Sequence, residues 1–426
     1  MDETGVVTCF LRHDAAVVLL RRSDGVGSYP GLWGAVAGHA EGDPDAAVRE
    51  EIREETGLDP EDVTLVRAGD PFEVADTDLD TRWVVHPYLF ESDTRAIETN
   101  WETVEYAWAA PTAILGRETV PDLWDSYDRV RPDVETVGED SDHGSAYLSV
   151  RALEVLRDEA ALSVREGEGD RDDGATDEWR FLADLAVSLR EARPAMPVVR
   201  NRINRVMAAA SRNRGVHAIE HAATAGIDEA LAADERAATR AADRIARARV
   251  ATLSRSGTVR DALSGADADA VLVAESRPGR EGIDVAESVA GESDVTLTTD
   301  AALAHAVDEW GADAVLVGAD AVHGDGSVVN KAGTRTVALA GAHEGIEVIV
   351  AAATDKIAPD GRTDLEHRDP GEVYDGDADL DVYNPTFDVT PADCVDAVVT
   401  ERGVLGPEGV ADVAADHRSR ARWGTN

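Results

Sequence analysis

The sequence is short of lysine, of cysteine and of long apolar runs. Of its 41 lysines and arginines, only Lys331 and Lys356 are lysines. Two cysteines, Cys9 and Cys394, exclude a disulfide framework and a cysteine-rich zinc cluster. The sequence contains no run of about eighteen apolar residues, so we expect no membrane span. The first residues show no charged segment followed by an apolar stretch, so we expect no secretory signal and a cytoplasmic location.

Acidic residues outnumber basic ones by 85 to 41, which gives a net charge of -44. The acidic residues are spread through periodic, apolar-rich segments instead of forming one disordered block. An evenly acidic, lysine-poor chain is typical of halophilic proteins, because molar salt screens charge within a few ångströms and self-repulsion then costs little. The charge therefore predicts a solvated surface and disfavours a nucleic-acid partner.

A chain of 426 residues is too long for one ordinary core, and its 43% hydrophobic share is ample for folding. We expect an α/β protein overall. Residues 1–135 form the predicted front domain, and residues 136–178 form a linker with one helix. A helical subdomain is expected over 179–248, and a parallel-sheet subdomain over 249–426.

The front domain has the pattern of an α+β fold. Paired strands are predicted over 5–22, followed by a Gly/Pro-rich stretch from Gly25 to Gly38. A helix is expected from about Asp45 to Thr56, because Gly57 is a strong stop signal. Further strands are predicted over 62–68 and 82–91.

A polar stretch from Asp133 to Gly144 marks the expected domain boundary, and residues 145–164 show helical spacing. The acidic segment from Glu166 to Glu178 is the predicted flexible linker. Beyond residue 248, short apolar runs alternate with helical segments, which indicates βαβ units and a parallel sheet. The runs are 248–253, 269–274, 294–298, 313–317 and 347–352.

Three glutamates in the front domain form a candidate metal site. Glu51 lies three and four residues before Glu54 and Glu55, so a helix places the three carboxylates on neighbouring positions of one face. Such crowding is unfavourable without a cation, and Mg²⁺ prefers oxygen ligands of this kind. The alternative is a solvated face in an acidic protein.

The same segment resembles the Nudix box. The resemblance rests on the tail Glu51, Ile52, Glu54, Glu55, Gly57 and Leu58, on Gly38-His39, and on the run from Tyr29 to Trp33. It implies a Nudix sandwich that uses Mg²⁺, bound by Glu51, Glu54 and Glu55, to hydrolyse a nucleoside diphosphate derivative. The box is about two residues short, and Glu50 stands where the family has arginine. A domain that only binds and senses a nucleotide is the alternative.

Three segments at predicted strand ends could bind a phosphate, because ligands gather there in open parallel sheets. Ser254 lies in a small-residue turn whose backbone amides suit a phosphate. Arg277 lies in a second turn, where a guanidinium can grip phosphate with two hydrogen bonds. Asp320 follows an apolar strand and is a candidate acid or base. Asn330 and Lys331 follow, and Lys331 is notable in a chain nearly free of lysine.

Together with the stretch from Tyr383 to Pro391, these segments resemble the initiation factor 2B alpha/beta/delta family, which includes ribose-1,5-bisphosphate and methylthioribose-1-phosphate isomerases. The resemblance covers about residues 180–420. It implies a helical subdomain, a Rossmann-like subdomain, self-association into a homo-oligomer and no cofactor. Asp320 matches the family's catalytic aspartate, and Ser254 stands at the position of its catalytic cysteine. The matching phosphate-side residues are Arg214, Gly215, Arg277, Asn330 and Lys331.

Three functions are therefore open. The first is Mg²⁺-dependent hydrolysis of a nucleotide in front of a domain that binds a sugar or nucleotide phosphate. The second is aldose–ketose isomerisation of a pentose phosphate, which the serine at position 254 disfavours because a hydroxyl is far less acidic than a thiol. The third is a regulator whose two pockets sense metabolites. No membrane partner is expected.

Overall fold

The computed structural model describes residues 2–40, 42–167, 174–212 and 215–424. The chain divides into two compact units. The front unit comprises Met1–Asp133 and Glu154–Glu178, and the rear unit comprises Val134–Leu153 and Trp179–Asn426. Among the described helices, none is both long and apolar enough to cross a membrane.

The front unit is built on one mixed sheet. Its elements are β1 (Asp2–His13), β2 (Ala16–Arg22), β3 (Trp33–Gly34), β4 (Val36–His39), α1 (Pro44–Thr56), β5 (Val63–Ala68), β6 (Phe72–Asp76), β7 (Thr81–Ser92), β8 (Thr103–Ala109) and α2 (Leu123–Asp128). The central order is β3-β2-β1-β7-β5, with β4, β6 and β8 paired to β1, β7 and β2. β1 and β7 run parallel, and the other pairs are antiparallel. The predicted paired strands and the helix ending at Gly57 are confirmed.

Helix α1 is fixed at both ends by its own sequence. The side chain of Asp43 accepts hydrogen bonds from the first free backbone amides, and Gly57 ends the helix in the left-handed conformation at φ 72°. Val48 and Ile52 are buried against the sheet. Burying a side chain of this size contributes roughly 1.5–3 kcal/mol. This packing fixes the rotation of the helix and so determines where its glutamates point.

The opposite face of the sheet is covered as well, which makes the front unit a sandwich. Phe10 and Leu89 of the sheet pack with Leu123 and Tyr127 of α2 in a second buried cluster. Arg12 is buried on β1, where it pairs with Glu91 at 3.0 Å.

Helices make up the first part of the rear unit. They are α3 (Val134–Glu139), α4 (Ser145–Gly167, whose later residues belong to the front unit), α5 (Gly174–Ala192, whose residues before Trp179 also belong to the front unit), α6 (Pro197–Ala210) and α7 (Val216–Ile245). The polar stretch predicted as a boundary contains α3, a short helix that local spacing did not indicate. The predicted acidic linker lies partly outside the described residues, at 168–173.

The rest of the rear unit is a doubly wound sheet. Its elements are β9 (Arg249–Leu253), α8 (Gly257–Gly265), β10 (Ala270–Ala274), α9 (Glu281–Val289), β11 (Asp294–Thr298), α10 (Asp300–Glu309), β12 (Ala314–Val317), β13 (Ala321–Val322), β14 (Val328–Lys331), α11 (Thr334–Glu344), β15 (Glu347–Ala351), β16 (Phe387–Thr390), β17 (Ala397–Thr400), β18 (Gly403–Leu405) and α12 (Pro407–Arg420). The five predicted strands are confirmed as β9, β10, β11, β12 and β15.

The strand order is β11-β10-β9-β12-β15-β17-β18, parallel except for the last pair. This is the Rossmann-like order. β10 and β11 are added on one side of β9, whereas β12 and the strands after it are added on the other side. Ligands of such sheets bind at this switch point, outside the carboxyl ends of the strands. A small sheet of order β13-β14-β16 follows β12 at the same end. The predicted α/β fold class is confirmed.

Candidate functional sites

The front unit contains a cavity of about 600 Å³ beside α1. Glu51 and Glu54 line it, together with Glu102 from the loop before β8. Glu55 lies beneath, 5% exposed, and its Oε2 accepts a hydrogen bond from the Ala37 amide at 3.4 Å. The three predicted carboxylates are thus divided between the cavity and the core, and Glu102 joins them without any signal in the local sequence.

The cavity concentrates negative charge. Burial, together with the charges of Glu51 and Glu102, raises the pKa of Glu55 to about 8. Burial also raises the pKa of Glu51, with contributions from Glu54 and Glu102. A desolvated carboxylate surrounded by like charges favours the neutral form unless a cation is near. These oxygens fit a divalent cation in chemical kind, although no three acidic, His or Cys side chains of the described residues converge on one metal position.

Gly38 makes room for the Glu51 carboxylate. A β-carbon at Gly38 would overlap the carboxylate oxygens of Glu51, so any larger residue displaces that side chain. The close approach gives a physical reason for glycine at the first position of the motif.

Arg22 on β2 supplies a cation to the same cavity. Its Nε donates to the Ser28 carbonyl at 2.9 Å, and its positive charge opposes the rise in the pKa of Glu55. Glu50, at the family's arginine position, is exposed and pairs with Arg53 on the surface of α1. The guanidinium near the carboxylates therefore comes from a strand, and not from the motif itself.

Aromatic side chains form another wall of the cavity. The Tyr29 hydroxyl donates to Asp76 at 2.6 Å and accepts from Trp83 Nε1 at 3.0 Å. These bonds satisfy the polar atoms of both rings and leave their apolar faces for a ligand. Trp101 also lines the cavity and is 69% exposed. Flat apolar surfaces beside carboxylates suit a nucleotide whose base stacks there, provided that a divalent cation lies between its phosphates and the acidic end.

In the rear unit, Asp320 lies just beyond β12 at the switch point. Its amide donates to the Val329 carbonyl at 2.9 Å, which ties it to β14. Its Oδ1 accepts a hydrogen bond from Ser145 Oγ at 2.8 Å. Ser145, the first residue of α4, is 1% exposed. The candidate carboxylate is thus oriented by a helix far away in sequence.

Asn330 and Lys331 are both buried at the end of β14. Asn330 Nδ2 donates to Thr334 Oγ1 at 2.9 Å. Lys331 Nζ donates to Glu281 Oε1 at 2.8 Å, while Glu281 Oε2 is buried without a hydrogen-bond partner in the described part of the chain. The lysine is therefore held in place by a glutamate that was not predicted as a site residue.

Ser254 follows β9 in a left-handed conformation, at φ 69°. Its amide donates to Ser276 Oγ at 2.6 Å, and Ser276 is itself left-handed at φ 63°. Asp300 accepts the amides of Ser276 and Arg277 at 2.9 and 2.6 Å. Each such conformation costs of order 1–3 kcal/mol and persists only where its surroundings hold it. The hydrogen bond from Ser254 to Ser276 therefore ties the turn after β9 to the turn after β10. The Arg277 side chain is exposed.

Of the remaining predicted residues, Arg214 lies outside the described residues. Gly215 is the residue before α7, at φ -112°. Sequence reasoning missed Glu366, whose Oε2 lies 3.5 Å from Arg193 Nη2 and whose pKa is raised by burial and by the charge of Asp320. It lies in an irregular stretch without periodicity, so no local signal indicated it.

Comparison with known proteins agrees with this division. A sequence model of the NUDIX domain matches residues 2–133, and a model of the Initiation factor 2 subunit family matches residues 141–407. The chain belongs to the Initiation factor 2 subunit family, and it carries a NUDIX domain in front. Both predicted resemblances are confirmed, and the combination supports a role in sugar-phosphate metabolism.

Two curated relatives are isomerases. The chain is 34% identical over 307 residues to ribose 1,5-bisphosphate isomerase of Haloferax volcanii, covering 66% of this chain and 92% of the relative. It is 37% identical over 171 residues to methylthioribose-1-phosphate isomerase of Synechocystis, covering 37% of this chain and about half, 49%, of the relative. Among solved structures, translation initiation factor eIF-2B of Pyrococcus horikoshii has a TM-score of 0.54 at 24% identity and covers 64% of this chain and 94% of its own. That likeness concerns the fold.

Proposed function

We propose that the rear unit interconverts the aldose and ketose forms of a pentose phosphate, with ribose 1,5-bisphosphate as the leading substrate. The main support is the position of Asp320, whose carboxylate is oriented by Ser145 at the switch point, next to the buried Asn330 and Lys331. A carboxylate at this place can take a proton from a sugar carbon and return it to the neighbouring one. The long match to a ribose 1,5-bisphosphate isomerase adds to this support.

The residues around Asp320 have distinct tasks in this proposal. Lys331 and Arg277 provide positive charge for phosphate, and Asn330 offers an amide to a sugar hydroxyl. Ser254 sets the course of the turn after β9 through its left-handed backbone and its amide bond to Ser276. Its hydroxyl is too weak an acid to serve as a thiol does, so proton exchange requires a different group.

We also propose that the front unit hydrolyses a nucleoside diphosphate derivative. This second function rests on one cavity that combines the carboxylates of Glu51 and Glu54 with the aromatic faces of Tyr29 and Trp83. Glu51, Glu54 and Glu55 would hold Mg²⁺, which when bound neutralises phosphate charge and makes water a better nucleophile. The aromatic wall stacks the base.

Arg22 completes this proposed site by gripping a phosphate oxygen. Arg22 lines the cavity, its positive charge acts on Glu55, and its hydrogen bond to the Ser28 carbonyl fixes the direction of the guanidinium. The protein would then act on nucleotide-derived metabolites at one unit and on a pentose phosphate at the other.

The decisive test is conversion of ribose 1,5-bisphosphate to ribulose 1,5-bisphosphate in molar potassium chloride. Turnover that is lost in Asp320→Asn supports the isomerase function. If wild type binds the sugar phosphate but does not convert it, the rear unit is a sensor. Release of inorganic phosphate or a nucleoside monophosphate from a panel of nucleoside diphosphate derivatives, with and without Mg²⁺, tests the front unit separately.

A further inference from the structure

Glu366 is brought to the rear site by backbone pairing. The amide of Thr386 donates to the Glu366 carbonyl at 2.7 Å, and the amide of Ala332 donates to the Thr386 carbonyl at 2.9 Å. Ala332 directly follows Lys331, and β14 also binds the amide of Asp320 through Val329. The segment around Glu366 is therefore attached to the same sheet end as the candidate catalytic carboxylate.

The local conformation of Glu366 is unusual. Its φ of 42° lies in the left-handed region, which a residue with a β-carbon adopts at a cost of roughly 1–2 kcal/mol. Arg193 holds the carboxylate from one side, at 3.5 Å, and is itself fixed by the carbonyls of Gly138 and Asp140 at 3.3 and 2.8 Å. Residues held in such conformations cluster at active sites and ligand-binding segments.

Three charged groups act on Glu366. Arg193 favours its ionised form, whereas Asp320 and Asp364 oppose it, and burial is the largest influence and also favours the neutral acid. Asp320 differs from it, since its carboxylate accepts a hydrogen bond from Ser145. Glu366 and Asp320 therefore lie in different environments, as the two carboxyl groups of an acid–base pair do.

We propose that Glu366 is the general acid that works with Asp320 in the isomerisation, in place of the thiol that Ser254 lacks. The inference rests on the proposed isomerase function of the rear unit. Glu366 lies in the loop before β16. It would make the proton transfer that Ser254, in the turn after β9, cannot make. Glu366 would contact the ring oxygen of the sugar, and Asp320 would face C2.

The proton transfers balance over two steps. In the first, Glu366 gives its proton to the ring oxygen as the C1–O bond breaks, and Asp320 removes the proton from C2, which leaves a C1=C2 enol phosphate. In the second, Asp320 returns its proton to C1 while Glu366 takes the proton of the C2 hydroxyl. The C2 oxygen becomes a carbonyl, and both carboxyl groups regain their starting states without an oxidant or a cofactor.

The experiment compares wild type, Glu366→Gln, Glu366→Asp and a surface control, Glu287→Gln, with ribose 1,5-bisphosphate in molar potassium chloride. Positioned proton transfer contributes about 10²–10⁴-fold. We expect kcat to fall at least about 100-fold in Glu366→Gln, with KM changed less than about threefold, and Glu366→Asp to regain part of the lost rate. The control should match wild type.

Calorimetric binding of ribulose 1,5-bisphosphate separates chemistry from structure. Glu366→Gln should bind the ketose within about threefold of wild type, because the general acid acts on the barrier more than on the bound state. Unchanged kcat in Glu366→Gln beside an active wild type would overturn the inference alone. An equal loss of binding and rate in both Glu366 variants would also overturn it, in favour of a structural role. An inactive wild type would instead refute the isomerase function on which it rests.

Discussion

Ser145 Oγ donates a hydrogen bond of 2.8 Å to Asp320 Oδ1, across 175 residues of sequence. Ser145 is almost fully buried, so its removal leaves a carboxylate oxygen without its protein donor. We expect Ser145→Ala to lower the free energy of unfolding by about 1–3 kcal/mol, because removing the donor of a hydrogen bond at a buried position costs about that much. Urea unfolding in molar potassium chloride measures the change.

Ser163→Ala is the matched control for this prediction. Ser163 lies on the same helix, and its hydroxyl donates to the backbone carbonyl of Glu159, at 2.9 Å. We expect this variant to remain within about 0.5 kcal/mol of wild type. Equal losses in the two variants would contradict a specific contribution of Ser145 through Asp320.

The buried pair of Lys331 and Glu281 gives a second prediction. Lys331→Met leaves the Glu281 carboxylate without its cation, and losing one partner of a buried pair costs about 3–5 kcal/mol. The double variant Lys331→Met/Glu281→Gln should recover much of that loss, since no uncompensated charge is left. A thermodynamic cycle over the four proteins gives the coupling, and strictly additive losses would show that the pair is not coupled.

The pKa of Glu55, raised to about 8, predicts how stability depends on pH. The folded protein holds a proton on Glu55 that the unfolded chain releases near its ordinary pKa of about 4.3. Stability contributed by the neutral acid is therefore present at low pH and declines as pH rises towards 8, by up to about 1.4 kcal/mol per pH unit. Above pH 8 the decline ends.

Glu55→Gln should remove that decline, because the amide carries no titrating proton. Unfolding free energies of the two proteins at pH 5.5, 7 and 8.5, with chelator present, test this difference, and Glu54→Gln is an exposed control on the same helix. Mg²⁺ should flatten the wild-type decline at high pH if it binds the ionised carboxylates. Parallel profiles for wild type and Glu55→Gln would contradict the raised pKa.

Gly38→Ala should affect hydrolysis more than folding. The added β-carbon meets the end of the flexible Glu51 side chain, which can move away. We expect unfolding free energy to change by about 1–3 kcal/mol and the Mg²⁺-dependent rate to fall at least about tenfold. Gly34→Ala, where the nearest atom is a Val120 methyl at 3.8 Å, serves as the control. A Gly38→Ala protein with wild-type hydrolysis would contradict a role for the Glu51 position.

Trp101→Ala tests the aromatic wall. Because this ring is largely exposed, its loss should cost little stability. Loss of a stacking partner should weaken binding of a nucleoside diphosphate by about 1–3 kcal/mol, or roughly 5- to 150-fold. Tyr383→Ala removes an equally exposed ring from the rear unit as a control. Unchanged nucleotide affinity, measured by calorimetry in Mg²⁺ and molar salt, would remove Trp101 from the site.

Local patterns predicted the elements that hold both sites. The stop at Gly57 indicated helix α1, and short apolar runs indicated β9, β10 and β12. These signals work because the helix buries one side and because strands covered on both faces are apolar throughout. The turns that follow the strands, with Ser254 and Asp320, could be located from the same patterns.

Long-range contacts could not be predicted in this way. Glu54 and Glu55 are adjacent in sequence, but successive helical residues point about 100° apart, and the packing of α1 left one exposed and buried the other. Ser145 reaches Asp320 from a distant helix, and Glu366, whose pKa the charge of Asp320 helps to raise, lies in an irregular loop. Their positions depend on tertiary packing, for which neighbouring residues give no signal.

Both lysines of the chain, Lys331 and Lys356, are 5% exposed. Amine-directed acylating reagents and lysine-directed cross-linkers therefore find no accessible lysine side chain on the folded protein. Each amine becomes reactive only when its own region opens. Since Lys331 lies at the end of β14 and Lys356 just beyond β15, the rate of acylation at each position reports how often that part of the rear unit opens.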